Sequence, residues 1–382
     1  MTLKHVQVVF RHGARTPISW SKERFGGFSN LEEVVWSRKL LGYEDLRISR
    51  VKYALYHEDS SEATGAKQDE RHGKELEGGM MSGELTSVGK QMLYDFGKVL
   101  SRRYMLENPL LKSVFDKDEV YVRSTYYERT IQSLVSLLSG LYVDAAMDDV
   151  IRIQTYPIAV DDLMPNYHAC RKYNLLLQKV FSGELKSAEE KEYEAQLNKE
   201  LGLKNPEHHT YLGQWADLIR CCAAHHLPLP RILIDQEDTI TGYEIHLTKT
   251  QFGDPSILRG AIGSLVETLC LRLEEAVEGC LSYKMLLYSG HDWTLIALLK
   301  VLGVELEEWP VFASHLIIEL YEESCSGAMF VRVMYNDTVL KLGIEEDESG
   351  FAPVEKFLEK IESYRVVDLA TECGNNDGDK EE

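Results

Sequence analysis

Apolar, mostly β-branched residues run from Val6 to Phe10, and Gly13 and Pro17 stand just beyond them. A short continuous apolar run that stops at turn formers predicts a buried strand leading into a loop. Glu119–Arg123 (EVYVR), Ile151–Tyr156 and Lys284–Tyr288 (KMLLY) read the same way. Leu316–Tyr321 and Met329–Tyr335 lie close together and predict a hairpin. Helical spacing fills the intervals. Thr86 is placed to cap a helix whose apolar face holds Val88, Met92, Leu93, Phe96, Val99 and Leu100. Thr125–Leu141 carries Ile131, Leu134, Val135 and Leu138 at the same spacing, and a long helical pattern runs from Pro255 to Glu278. A helix from Asp292 to Leu302 closes at Gly303, and a short one is expected over Pro353–Ser363. Residues 57–79 are polar and turn-rich and predict a long surface loop.

From Asp161 to Pro230 the pattern changes. LLLQKVF, AEEKEYEAQLNKELG and YLGQWADLIRCCAAHH are helical, no strand interrupts them, and Pro228 and Pro230 punctuate the end. Strands alternating with helices predict an α/β core in three αβα layers, with a mixed, mainly parallel sheet and right-handed crossovers. The expected division is a core of residues 1–160 and 231–365 with a helical cap over 161–230. Residues 18–80 are a further candidate for that cap. The stretch 366–382 is expected to be an acidic, disordered tail, since six acids and one lysine follow from Asp368 on.

Charge narrows the partners. With 42 Lys and Arg against 62 Asp and Glu, the net charge is −20, which repels nucleic-acid backbones and anionic membranes. No apolar run approaches the ~20 residues of a membrane span, so neither nucleic acid nor stable membrane insertion is expected. Any phosphate must be held by a local cationic site. The 382 residues suit two or three domains; a monomer and a dimer are equally open. Seven cysteines form no CxxC pair, and their odd number leaves a thiol free. They read as small buried hydrophobes, with one or two disulfides open to an exported protein. MTLKHVQVVF carries no charged-then-apolar leader. The chain as it stands is expected in the cytoplasm, or in mitochondria or outside the cell if a targeting segment has been removed.

The chemistry concentrates at strand ends. Arg11-His12-Gly13-Ala14-Arg15-Thr16-Pro17 follows the first strand, Arg123-Ser124-Thr125 follows EVYVR, and Ser289-Gly290-His291-Asp292 follows KMLLY. Ligands of open α/β sheets bind beyond the carboxyl ends of the strands. Convergence of these loops gives three guanidiniums, two imidazoles and a carboxylate. Guanidinium forks match phosphate oxygens, a neutral imidazole is a nucleophile toward phosphorus, and a carboxylic acid can protonate a leaving alkoxide. Transfer through a phosphohistidine is the reaction this set suits, with no metal or cofactor required.

RHGxRxP after a strand, an arginine at a central strand end and a late His-Asp pair resemble the histidine acid phosphatases. The resemblance implies an α/β core with a helical cap. It also implies His12 as nucleophile, Asp292 as general acid, and Arg11, Arg15, Arg123 and His291 as phosphate ligands. QVVFRHGARTP, GGMMSGELTSVGKQM, VYVRST, LMPNY, HDWTLIALLKVLG and GFAPVEKFL are similar to the branch that hydrolyses lysophosphatidic acid to monoacylglycerol. A small phosphomonoester, with a lysophospholipid as lead candidate, is therefore the expected partner. A broad-specificity acid phosphatase, a mutase-like phosphotransferase and a catalytically idle protein of the same fold are the alternatives. Arg129 reads as a surface or helix-face residue. Arg71-His72-Gly73-Lys74 copies the motif inside a polar loop and is assigned no function. His208-His209 and His225-His226 near Cys221-Cys222 fit no zinc spacing and read as helix surface. Trp20, Phe25, Phe28 and Trp36 either line a groove for an acyl chain or pack the cap on the core.

Overall fold

The computed structural model describes residues 1–18, 36, 48–57, 75–76, 79–144, 150–202 and 211–374. Its centre is strand β1 (Thr2–Arg11), buried from His5 onward. The other strands are β2 (Tyr53–Tyr56), β3 (Val120–Ser124), β4 (Ile151–Gln154), β5 (Met285–Gly290), β6 (His315–Glu322), β7 (Met329–Tyr335), β8 (Thr338–Val339) and β9 (Ala352–Pro353). They form one sheet in the order β2-β4-β3-β5-β1-β6-β7-β8, with β9 beside β7. From β2 to β1 every pairing is parallel, and from β1 to β8 every pairing is antiparallel. The sheet is therefore mixed, with its parallel half carrying the three motif-bearing strand ends.

Alternation along β1 builds two cores, because successive side chains point to opposite faces. Val6, Val8 and Phe10 join α1 (Ser87–Ser101) and α2 (Glu128–Leu141) on one face. Val9 joins the opposite core. That core is filled by helix α8 (Pro255–Val277), α9 (Asp292–Val301) and α10 (Val354–Ile361). Helices on both faces make the three-layer αβα architecture.

Between β4 and α8 the chain is helical: α3 (Arg171–Phe181), α4 (Ala188–Glu200), α5 (Leu212–Ala224), α6 (Arg231–Asp235) and α7 (Glu237–Phe252). Leu197, Leu201, Leu212, Trp215, Leu218, Ile219, Leu233 and Ile240 form a third core with Trp36, Leu76 and Met80. Trp36 is fully buried there, edge-on to His225 at 5.5 Å between ring centres. Of the two roles open to this tryptophan, packing is the one it fills; Trp20, Phe25 and Phe28 lie outside the described residues. So do the Arg71-His72-Gly73-Lys74 copy, His208-His209, most of the 57–79 loop and the end of the acidic tail.

Two elements escape the hydrophobic pattern. β2 is a half-exposed edge strand. α7 buries Ile240, Glu244, Thr248, Gln251 and Phe252, which is helical spacing on a face mostly made of polar residues. Helices therefore continue past Pro230 to Phe252. The short helix α11 (Leu369–Glu372) ends beside Cys373, which is bonded to Cys170 across a sequence separation of 203 residues. Cys221, Cys222, Cys270, Cys280 and Cys325 are free thiols. Among the described residues no helix is long and apolar enough to cross a membrane.

Candidate active site

The carboxyl ends of β3, β5 and β1 are level with one another. Arg11 pairs with Gly290, and Ser124 with Ser289. His12 N donates to Gly290 O (3.1 Å), Thr125 N to Ser289 O (3.1 Å) and Arg11 N to Ser314 O (2.8 Å). This lacing brings His12, His291 and Asp292 to one place. The loop after β1 turns against the first turn of α1. A Cβ on Gly13 would lie 2.2 Å from Gly89 O, so glycine is needed for close backbone approach. The φ of Gly13 is not in the left-handed region, so close approach, and not a positive φ, is what this position asks of glycine.

The two histidines meet edge-to-face, 5.6 Å between ring centres, and their nitrogens differ. His12 Nδ1 lies 2.9 Å from Gly13 O. A carbonyl only accepts, so Nδ1 carries the proton and the Nε2 lone pair is free. His291 Nδ1 faces Arg129 Nη2 at 3.5 Å. A guanidinium only donates, so the His291 proton is on Nε2 and is given to Thr125 Oγ1 at 3.0 Å. His291 N accordingly caps α9 through Thr294 Oγ1 (3.1 Å). Burial, with Arg129, Arg15 and Arg11 nearby, holds the His12 imidazole well below its ordinary range. Burial and Arg129 do the same to His291.

Arginines surround this pair. Arg11 Nη2 lies 2.8 Å from Asp292 Oδ2, its Nη1 donates to Pro310 O, and its guanidinium stacks 4.3 Å over Phe312. Burial and the neighbouring cations Arg15 and Arg220 bring it down to about 10, against the pull of Asp292. Arg15 Nη2 donates to Asp217 Oδ1 at 2.8 Å. Arg129, in the first turn of α2, stacks 4.5 Å over Tyr127. Among the described residues Nε of Arg11, of Arg15 and of Arg129 has no acceptor. Burial works to raise Asp292, but Arg11, Arg15 and Arg220 outweigh it and hold the carboxyl well below the usual range. Trp309 Nε1 adds a hydrogen bond to Oδ2 at 3.1 Å.

Arg123 does not join this set, contrary to the sequence expectation. It leaves β3 on the face of Tyr121, is 3 % exposed, and donates from Nη2 to Asp161 Oδ1 (2.9 Å) and to Asp162 Oδ1. The third guanidinium beside the histidines is Arg129, which the sequence reading had set aside. The signal was its place one turn into the helix that follows a motif-bearing strand, where a side chain can reach back over the strand end. Asp217 and Arg220 of α5, Trp309 and Phe312 were also missed, because neither a helix interior nor a loop before β6 carries a local signature.

One junction ties three elements at the site. Thr86 Oγ1 accepts from Gly89 N (3.2 Å) at the start of α1 and lies 3.1 Å from Ala14 O. It is also 2.7 Å from Nε2 of His225, whose Nδ1 is 2.7 Å from Cys221 O. His225 thus faces inward and is not helix surface.

Parallel strands of a mixed α/β sheet thus end in an imidazole among guanidiniums, a charge pattern that suits a phosphate group. The model of the histidine phosphatase superfamily (branch 2) matches residues 2–336, and the chain belongs to that superfamily. It is a phosphoric monoester hydrolase of the histidine acid phosphatase kind. Lysophosphatidic acid phosphatase type 6 of Bos taurus is 29% identical over 96% of this chain and 84% of that protein. Human prostatic acid phosphatase is 28% identical over 76% and 79%. Among solved structures, the phytase from Citrobacter braakii superposes with a TM-score of 0.63 over 98% of this chain and 99% of that one at 14% identity, a likeness of fold.

Proposed function

We propose that the protein hydrolyses phosphate monoesters through a phosphohistidine on His12. The observation that carries this reading is the contrast between the two imidazoles: His291 has both nitrogens engaged, whereas His12 is locked by Gly13 O with Nε2 free. Nε2 attacks phosphorus as the P–O bond to the leaving group breaks. Arg11, Arg15 and Arg129 hold the equatorial oxygens, and His291, protonated on Nδ1 when Arg129 turns to the anion, adds a donor. In the free protein Asp292 is ionised. A bound phosphate dianion offsets the charge of Arg11 and Arg15, which raises the proton affinity of Asp292 and lets it protonate the leaving oxygen. The resulting carboxylate then takes a proton from water, which attacks the phosphohistidine and releases phosphate. Because burial and the surrounding arginines keep free His12 unprotonated in acid, the nucleophile survives where acid phosphatases work. Acid-stable trapping is not available to a phosphohistidine, so the test is an alkaline quench during turnover: phosphate is expected on His12, and label on any other side chain overturns the reading.

The substrate we favour is a single-chain lysophospholipid, lysophosphatidic acid yielding monoacylglycerol. Its support is the similarity to lysophosphatidic acid phosphatases, the net charge of −20, and an apolar rim. Ile18 and Val311 stand 50% and 61% exposed on the two loops that carry Arg15 and Phe312. Turnover is expected to rise with acyl-chain length; a flat profile would remove the lipid from the proposal and leave a broad-specificity acid phosphatase.

A further inference from the structure

Resting on the phosphatase reading above, we propose that Asp217 is a positioning and charge-setting residue that selects substrates carrying a single phosphate. It lies on α5, in the helical segment, far in sequence from the motifs. One oxygen accepts from Arg15 Nη2 (2.8 Å) and the other from Ile18 N (2.9 Å), so a single carboxylate holds both the second arginine of the phosphate loop and the exit of that loop. Among the described residues the Arg15 guanidinium has as other restraints its neighbour Thr16 O (3.0 Å), a weak contact to Cys221 Sγ (3.6 Å) and the Phe312 ring (5.7 Å). Asp217 is thus what aims the guanidinium.

Its charge reaches further. Asp217 acts on Arg11, Arg15, Arg129 and Arg220 together. Among the described residues the site sets these four guanidiniums against the carboxylates of Asp217, Asp292 and Glu244, the last forked on Arg220 at 2.6 and 3.1 Å. The balance is one positive charge, enough to favour one phosphate group and too little to reward a leaving group bearing more of them. The Asp217 side chain is 15% exposed, beside the half-exposed Ile18, so further phosphates at the mouth meet its negative charge. Removing one such charge at short range in a partly buried site changes affinity by about tenfold.

The test compares kcat/KM on glycerol 1-phosphate and on inositol hexakisphosphate for the full chain and for Asp217→Asn and Asp217→Glu. Asp217→Asn is expected to raise the hexakisphosphate-to-monophosphate ratio by about tenfold, mainly through KM, and to tighten inhibition by inorganic phosphate. Asp217→Glu is expected to keep the original ratio, because it keeps the charge. Parallel loss on both substrates with an unshifted ratio overturns the proposal and leaves Asp217 a structural residue. If Asp217→Asn does not fold, Asp217→Ser carries the same comparison, and an original protein that already prefers the hexakisphosphate overturns the proposal without any variant. His12→Ala, silent on both substrates, alongside an unshifted ratio in Asp217→Asn, would show that the failure belongs to Asp217 and not to the phosphohistidine.

Discussion

The cradle around His12 and the cluster around Arg123 sit at the ends of β1 and β3, which flank β5, yet their charges are unbalanced in opposite senses. Around His12 cations are in excess: burial and the arginines push His12, His291 and Arg129 down, and against burial Arg11, Arg15 and Arg220 hold Asp292 low. Around Arg123 acids are in excess. One guanidinium serves Asp161 and Asp162 and stacks 4.5 Å over Tyr156. Burial, with Asp162 adding to it, lifts Asp161 to about 6 although Arg123 pulls the other way. A buried arginine met by its own carboxylates is a structural strut; a buried set with surplus cations is organised for an anion that arrives from outside. Residue type and strand-end position are the same in both, so only the partners tell them apart.

The sharpest break of this comparison is His12→Ala. Loss of the nucleophile is expected to lower phosphate release at least about a thousandfold while the melting temperature holds; turnover near the original level would show that the surplus charge serves something else. Next come the two arginines in opposition. Arg123→Ala strands the buried carboxylate of Asp161 and the half-buried one of Asp162 and is expected to cost about 3–5 kcal/mol of stability in denaturant unfolding, with catalysis by the folded fraction retained. Arg129→Ala is expected to do the reverse, lowering kcat/KM about a hundredfold with little loss of stability. Swapped outcomes would invert the assignment.

The smallest effect is on the pH dependence of stability. With Asp161 raised to about 6 in the folded state, the folded protein binds more protons than the unfolded chain between roughly pH 4 and 6, so this residue makes stability fall as pH rises through that window. Asp161→Asn should flatten that slope, worth on the order of 2 kcal/mol. Asp292 has the opposite sign. Its depressed carboxyl contributes stability above the unfolded value and loses it as pH falls through the low folded one. Melting curves from pH 3 to 7 on Asp161→Asn and Asp292→Asn separate the two; equal slopes would refute the opposed balances.

Much of this was legible beforehand because strand ends announce themselves. A β-branched run followed by RHG, and KMLLY followed by His-Asp, give both the element and the place where its ligand must sit. Arg123 differs because each residue near a strand end belongs to one face of the sheet, and at that position the face is the one lined by Tyr121 and Tyr288. Hydrophobic period carries no signal for Arg129, a first-turn side chain that folds back toward His291. α7 was hidden because its inward positions are Glu244, Thr248 and Gln251, whose burial depends on partners elsewhere, such as Arg220. Asp217 could not be found at all without the packing of α5 on the phosphate loop.

The meeting of Thr86, Ala14 and His225 bears on how α5 holds the loop after β1. A hydroxyl has one hydrogen and turns freely. When His225 is neutral, with Nδ1 serving Cys221 O, that hydrogen belongs to its Nε2; when the ring gains a proton, the hydroxyl can swing to Ala14 O and accept from Nε2 instead. The contact between α5 and the loop after β1 therefore has a complete set of bonds in either state. Acidification leaves α5 fastened to the loop that carries His12 and Arg15.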